Sequence, residues 1–321
     1  MTTATTLLLP GRAGLSAQSL PPELAQWLAR ADRVTVEGSQ LRRMFDVLPR
    51  GWPVAAATRQ REAGDAAQAA WLRADPVFVQ PDMNGARLMA HGQALSLTAD
   101  DADALLPALK PLFGDAGFPI EATTPSHWYL RLPLGAKLPA FSSPDEALGT
   151  DLFDHLPGVD QDAHGEGRRW RALLSEAQVV LHNHPHNAYR SAMGLPPINS
   201  LWFWGAGTLP DRVRCDYTRV YSDDEAVQAF AALAGVTTSP LPARWPAGEG
   251  KDEGDGHRAF DLRHARDLAG LQADWFAPLV GDIRAGRLGS AILDFADGVR
   301  YTLDARQRWR SWRRRVRALD A

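Results

Sequence analysis

The sequence has little cysteine, little lysine and no long apolar run. Its single cysteine, Cys215, excludes an intramolecular disulfide and is typical of a reducing compartment. The only lysines are Lys110, Lys137 and Lys251, so arginine supplies nearly all of the positive charge. This bias weakens any argument that one arginine was selected for anion recognition by its type alone. No apolar stretch is long enough to span a bilayer. The sequence therefore predicts a soluble, cytoplasmic protein with no membrane partner.

The charges nearly balance, with 35 Lys and Arg against 38 Asp and Glu, a net charge of −3 and a pI of about 6.3. This balance makes nucleic acid an unlikely partner for the chain as a whole. The densest basic stretch is near the C-terminus, where arginines alternate with Trp309 and Trp312. Such a stretch can stack on and neutralise the phosphates of a nucleic acid or bind an acidic partner. The favoured interpretation is a basic helix over residues 305–318 whose tryptophans pack on the domain.

Strand and helix patterns alternate over the first two-thirds of the chain. An apolar run at 5–9 predicts a buried first strand, and a helix over 60–73 and a strand over 75–79 follow. Residues 168–182 form the clearest helical pattern, with apolar side chains on one face. Two strands at 290–295 and 299–303 flank an Asp-Gly turn. The pattern predicts a single α/β domain over residues 1–321, with a mostly parallel sheet flanked by helices and an antiparallel hairpin near the C-terminus. Stretches near 151–167 and 246–258, rich in glycine and charge, predict mobile loops.

The central segment, residues 181–207, concentrates the hydrogen-bonding side chains of the chain. Its polar and glycine markers are His182, His184, His186, Asn187, Arg190, Asn199, Gly205 and Gly207. Three histidines so close together could bind a metal ion. Pro185 makes a regular element unlikely there, and no nearby carboxylate completes a site, so hydrogen-bonding or structural histidines are favoured.

An anion site is a second interpretation of the central segment. Arg190 carries a fixed fork of donors suited to a carboxylate or a phosphate. Asn187 and Asn199 can donate amide N–H groups, and His184 can donate from a suitable tautomer. The alternative is that Arg190 and the asparagines cap helix ends and hold the loop around Gly194. The residues alone leave these two interpretations even.

Two strings in the central segment match a known pattern: His184-Pro185-x-Asn187-x-x-Arg190, and Asn199-x-x-Trp202-x-Trp204-Gly205-x-Gly207. They resemble the central part of the archaeal-type cofactor-independent phosphoglycerate mutases. Most of the chain also resembles a proteobacterial family known as phosphoglycerate mutases or as the E member of the regulators of pathogenicity factors. Its recurrent strings stand here at 75–77, 128–130, 174–178, 199–205 and 309–314.

The mutase resemblance implies an alkaline-phosphatase-like α/β sandwich. Such enzymes use an aspartate at the end of the first strand as a metal ligand, a serine or threonine nucleophile, and two metal ions held by Asp and His. Here Pro10-Gly11 stands in place of Asp-Gly, and no Asp-x-x-x-His pair follows Gly235. The sequence therefore assigns no cofactor. A divalent manganese or zinc ion is implied by the resemblance, but its typical ligands are missing.

Two functional hypotheses follow. In the first, the chain is a phosphoglycerate-mutase-like protein, an isomerase if active, that binds a small phosphorylated or carboxylated ligand. His184 and Arg190 are the catalytic candidates. The binding set is His182, His184, Asn187, Arg190, Asn199, Gly205 and Gly207. In the second hypothesis, the chain is a non-enzymatic regulatory or interaction protein on a degenerate phosphatase-like scaffold.

Overall fold

The computed structural model describes residues 4–82, 85–156, 166–247, 256–310, 312–314, 316, 318 and 319. The fourteen strands within these ranges are β1 (Ala4–Leu9), β2 (Asp32–Thr35), β3 (Phe45–Leu48), β4 (Ala70–Asp82), β5 (Gly85–His91), β6 (Ile120–Thr124), β7 (His127–Leu132), β8 (Ser200–Thr208), β9 (Arg212–Cys215), β10 (Arg219–Tyr221), β11 (Thr237–Ser239), β12 (Arg258–Asp261), β13 (Ser290–Phe295) and β14 (Val299–Asp304). The α-helices of the same ranges are α1 (Pro22–Arg30), α2 (Gln40–Met44), α3 (Val54–Ala63), α4 (Ala99–Asp115), α5 (Pro144–Ala147), α6 (Glu166–His182), α7 (His186–Ala192), α8 (Glu225–Leu233), α9 (Leu268–Leu271) and α10 (Ala277–Arg284).

The chain divides into two compact units, of which unit 1 comprises Met1–Leu48 and Arg212–Ala321 and unit 2 comprises Pro49–Asp211. The single domain over residues 1–321 stays a prediction. Much of the two predicted mobile loops, at 157–165 and 248–255, lies outside the described residues. Among the described residues, no helix is both long and apolar enough to cross a membrane.

Unit 1 is built on a seven-stranded sheet in the order β11-β10-β12-β1-β13-β14-β2. The first five strands of this order run parallel, and β14 runs antiparallel to both of its neighbours. Leu7 and Leu9 of β1 are buried in a core with Trp27, Phe260 and Trp275. The mostly parallel sheet and the C-terminal hairpin are therefore confirmed, and the alkaline-phosphatase-like fold stays a prediction.

Unit 2 has an antiparallel five-stranded sheet, which the sequence pattern did not predict. The long strand β4 pairs with β5, β7 and β8, and β7 also pairs with β6. Only short links separate β4 from β5 and β6 from β7, and such links allow antiparallel pairing alone. The apolar face of α6 is buried against this sheet, as its sequence pattern predicts, through Trp170, Leu173, Leu174, Ala177 and Leu181.

Two predicted helices differ from the structure. The helix expected over 60–73 ends at Ala63, because Gly64 takes a left-handed conformation (φ 73°) that stops it, and β4 begins at Ala70. In place of the helix expected over 305–318, a short 3-10 helix covers Ala305–Trp309. Beyond it, Arg310 donates a hydrogen bond to Asp32, and Arg313 donates one to the carbonyl of Ala31. The described residues of this stretch therefore form turns that lie beside the end of α1.

Candidate functional site

Arg190, the predicted anion-binding residue, is fully buried in unit 2. Its Nη1 lies 2.8 Å from Oδ2 of Asp101, and its Nε and Nη2 donate to the carbonyls of Pro196 (3.0 Å) and Leu95 (2.6 Å). Burial would raise the pKa of Asp101, but hydrogen bonds from Thr98, His186 and Arg190 outweigh it and lower the pKa to about 2. The carboxylate that contacts Arg190 is thus the side chain of Asp101 and belongs to the protein itself.

The two asparagines of the central segment are bonded to backbone groups. The amide of Asn187 donates to the carbonyls of Leu181 (2.8 Å) and Ile198 (2.9 Å), and its oxygen accepts from the N–H of Ile198 (2.8 Å). Asn199 pairs in the same way with the backbone of Val79, at 2.9 and 2.7 Å. Asn187 therefore ties the end of α6 to the start of β8, and Asn199 ties the start of β8 to β4.

The three histidines lie in different environments. His182 is exposed at the end of α6, and Nε2 of His186 lies 2.6 Å from Oδ1 of Asp101. Nδ1 of His184 accepts the backbone N–H of His186 at 3.3 Å. Burial and the neighbouring His186 lower the pKa of His184, so its ring is neutral at pH 7 and its proton lies on Nε2.

Gly205 and Gly207 allow β8 to approach the start of α3. A Cβ at Gly207 would lie 2.6 Å from Cβ of Pro53, and one at Gly205 would lie 3.0 Å from Cβ of Val54. Both glycines also have positive φ. Steric room and backbone conformation therefore account for both positions.

Together, these contacts give the central segment a structural role. Arg190 and His186 meet on Asp101, whereas Asn187, Asn199 and the two glycines each hold a different backbone segment. The ligand-binding and catalytic roles of this segment stay predictions, and its hydrogen bonds do not add support to them.

A polar cluster in unit 1 lies at the carboxyl ends of β10 and β12. Ser222 directly follows β10, Asp261 ends β12, and Asp224 caps α8 by accepting the N–H groups of Ala226 and Val227. The crossover after β10 leads through α8 to β11 on one side, and the crossover after β12 leads past β1 to β13 on the other. The sheet therefore changes winding direction between β10 and β12, which is where open α/β sheets bind their ligands.

Arg263 joins the carboxylates of this crevice. Its Nε lies 2.7 Å from Oδ1 of Asp261, and its Nη2 lies 2.7 Å from Oδ2 of Asp261 and 2.8 Å from Oδ2 of Asp224. The hydroxyl of Ser222 donates to Oδ2 of Asp261 at 2.7 Å. Burial would raise the pKa of Asp261, but its bonds from Arg263 and Ser222 lower it, so this nearly buried carboxylate is ionised.

A second polar cluster, in unit 2, surrounds Glu62 of α3. Its Oε1 lies 2.6 Å from Nδ1 of His127, and its Oε2 accepts from the hydroxyls of Tyr129 (2.9 Å) and Thr123. Burial would raise the pKa of Glu62, but the bonds from His127 and Thr123 lower it. An ionised glutamate thus orients the imidazole, an arrangement that suits a general base or a metal-bound histidine.

Sequence reasoning did not single out either cluster as a site. Asp224 precedes an apolar helical pattern, which indicates a helix N-cap but not its contact with Arg263. The available signal was a carboxylate at the end of the short apolar strand that became β12. Pairing it with Ser222 requires the strand order, which the sequence does not give.

Comparison with known proteins supports part of the resemblance. No family model matches the chain. A 2,3-bisphosphoglycerate-independent phosphoglycerate mutase of Methanothrix thermoacetophila is 38% identical over 71 residues, which are 22% of this chain and 17% of that protein. The same enzyme of Methanosarcina barkeri is 34% identical over 130 residues, 39% of this chain and 31% of that protein. The chain is therefore distantly homologous to cofactor-independent phosphoglycerate mutases, and the matches span less than a third of their length.

The structure was also compared with solved structures. It superposes on a cofactor-independent phosphoglycerate mutase of Thermoplasma acidophilum with a TM-score of 0.44 and 14% identity. The superposition covers 95% of this chain and 90% of that one.

Proposed function

We propose that the chain is a phosphoglycerate-mutase-like protein that binds a small phosphorylated or carboxylated ligand at the carboxyl ends of β10 and β12. One observation carries the proposal: Arg263 stands at the point where the sheet changes winding direction. Two of its nitrogens are held by Asp224 and Asp261. Among the described residues, nothing accepts a hydrogen bond from the third nitrogen, Nη1, and 18% of the side chain is exposed.

The geometry of Arg263 suits an incoming anion. A guanidinium held on one edge by carboxylates has few rotamers left, so a ligand oxygen meets preorganised N–H donors at Nη1. This differs from the role first expected of Arg190, whose three nitrogens all face protein oxygens.

The acidic residues of the crevice do not repel an anion with their full charge. Asp224 accepts hydrogen bonds from two backbone N–H groups and from Arg263. Asp261 accepts hydrogen bonds from Ser222 and from Arg263. Asp223 accepts the backbone N–H of Leu241 at 3.1 Å. These donors partly neutralise the carboxylates, and Nη1 is the nitrogen of Arg263 that does not donate to them.

The test compares thermal midpoints with and without 10 mM 3-phosphoglycerate, or inorganic phosphate, for the wild type and two variants. A ligand with a Kd of about 0.1 mM stabilises the native state by about 2.7 kcal/mol at this concentration. We expect the midpoint of the wild type to rise by several degrees. Arg263→Gln should abolish the rise, whereas Arg42→Gln, which removes an exposed arginine of the same unit, should preserve it. An unchanged wild-type midpoint, or an equal rise in Arg263→Gln, would refute the proposal.

A second candidate function is a regulatory or interaction protein that binds the same ligand without turning it over. The observation that favours it is the end of β1, where Pro10-Gly11 brings no carboxylate to the crevice. A mutase assay on the purified protein with added Mn²⁺ separates the two. Interconversion of 3- and 2-phosphoglycerate that is lost in Arg263→Gln supports the isomerase. Ligand binding without turnover supports the regulatory protein.

A further inference from the structure

The metal ions implied by the resemblance do not fit the carboxylates of the crevice as these are arranged. Both oxygens of Asp261 already accept hydrogen bonds, Oδ1 from Nε of Arg263 and Oδ2 from Nη2 of Arg263 and from Ser222. Oδ2 of Asp224 accepts from the same Nη2. A divalent ion needs several oxygen ligands around one point, and a guanidinium nitrogen lies at that point here.

The single nitrogen Nη2 makes the bridge that a metal ion would make. It contacts a carboxylate oxygen of Asp261, at the end of β12, at 2.7 Å and one of Asp224, at the start of α8, at 2.8 Å. The Asp261 side chain is only 2% exposed, so two carboxylates at this spacing would repel strongly without a cation between them. Arg263 supplies that cation. Burial would lower its pKa, but the hydrogen bonds and charges of Asp261 and Asp224 raise it, so Arg263 stays charged.

The position of Arg263 in the chain keeps its guanidinium beside Asp261. It stands two residues after Asp261, and its backbone N–H also donates to Oδ1 of Asp261 at 3.3 Å. The guanidinium is thus tethered beside its carboxylate at a high effective concentration, against which a dissolved ion would have to compete.

We propose that the guanidinium of Arg263 takes the place of a divalent metal ion between Asp224 and Asp261, so that this crevice binds its ligand without a metal. The inference builds on the proposed function, in which the crevice is the ligand site. Its test uses only metal ions, however, so a failure of anion binding and a failure of this inference can be told apart.

The experiment titrates MnCl₂ into the full chain by calorimetry, and it records the thermal midpoint with and without 1 mM MnCl₂. The proteins are the wild type, Arg263→Ala and the control Arg42→Ala. We expect neither the wild type nor Arg42→Ala to bind Mn²⁺ at Asp261, so any Mn²⁺ binding that they show should persist in Asp261→Asn. Arg263→Ala leaves two carboxylates without their cation, so its midpoint should fall, and it should bind Mn²⁺ at least tenfold more tightly than the wild type. Mn²⁺ should restore part of its midpoint.

Two results would overturn the inference. One is stoichiometric Mn²⁺ binding by the wild type that disappears in Asp261→Asn. The other is an Arg263→Ala variant that binds Mn²⁺ no more tightly than the wild type and whose thermal midpoint is not raised by Mn²⁺. If Arg263→Ala does not fold in metal-free buffer, the titration is repeated with Arg263→Gln. In that case both variants are also purified with and without 1 mM MnCl₂, and the yields of folded protein are compared. A yield of folded protein that Mn²⁺ increases supports the inference, and a yield that it leaves unchanged contradicts it.

Discussion

At the scale of single residues, Arg190 makes its charged contact inside the protein. The sequence predicts that Arg190 binds an anion, and in the structure it contacts the carboxylate of Asp101. Asp101 is at the same time the capping-box residue of α4, since it accepts the N–H of Thr98 at 2.8 Å. One buried carboxylate thus joins the start of α4 to α7.

Replacing Arg190 should therefore lower stability. Arg190→Ala leaves Asp101 buried without its cation and two carbonyls without donors, and breaking a buried pair in this way costs about 3–5 kcal/mol. The free energy of unfolding in urea at pH 7 measures the effect. His182→Ala, at an exposed position on the neighbouring helix, should change it by less than about 0.5 kcal/mol.

The same pair of variants also examines the catalytic role first expected of Arg190. If Arg190→Ala keeps the stability of the wild type but loses the rise of the thermal midpoint with 3-phosphoglycerate, Arg190 is a ligand-binding residue. The structural role assigned to it here would then be wrong. A large loss of stability is the outcome expected from its contacts.

At the scale of elements, the contacts of β8 account for the tryptophans and glycines of the Trp-x-Trp-Gly-x-Gly run. The indole of Trp204 donates to Oδ2 of Asp75 at 2.6 Å, and the indole of Trp202 donates to the carbonyl of Ser142 at 2.9 Å. The glycines then let β8 pass close to the start of α3. Strings at 75–77 and 199–205, far apart in the chain, thus meet in the fold of unit 2.

Gly207→Ala should weaken unit 2. The new Cβ would lie 2.6 Å from Cβ of Pro53, and the φ of 152° is one that side-chain-bearing residues rarely adopt. Overpacking of this kind costs about 1–3 kcal/mol. Urea unfolding can be compared with that of Gly114→Ala, a helical position with no atom within 4 Å of the added Cβ. There we expect no loss of stability, and equal effects of the two substitutions would contradict the steric explanation.

At the scale of the whole molecule, the two units differ in how the chain builds them. Unit 2 is one continuous stretch, Pro49–Asp211, with its own core around Trp128, Trp170 and Phe203. Unit 1 needs both ends of the chain, because β1 lies between β12 and β13 in its sheet.

A fragment of residues 49–211 should therefore fold by itself. We expect near-ultraviolet circular dichroism of ordered tryptophans and a single cooperative thermal transition, because its sheet and core are complete without residues from unit 1. A fragment with no cooperative transition would show that unit 2 depends on the rest of the chain, as the predicted single domain requires.

The local elements and the homology to phosphoglycerate mutases could be predicted from the sequence alone. Apolar periodicity placed the buried face of α6, the Asp-Gly turn placed the β13–β14 hairpin, and the strings of the central segment indicated the homology to phosphoglycerate mutases that comparison supports. These features depend on residues close together in the chain, where spacing translates directly into geometry. The link to the proteobacterial regulator family and the cytoplasmic location stay predictions.

Which polar groups meet depends on the tertiary structure. The strand order brings Ser222 and Asp224 beside Asp261 and Arg263, and the packing of α4 against α7 brings Asp101 to Arg190. A charged side chain takes its role from the partners that it meets in a buried environment. Asp224, which contacts Arg263, and Asp101, which contacts Arg190, both lie far from these arginines along the chain. Residue type could suggest that an arginine binds an anion, but only the fold places Asp101 beside Arg190 and Asp224 beside Arg263.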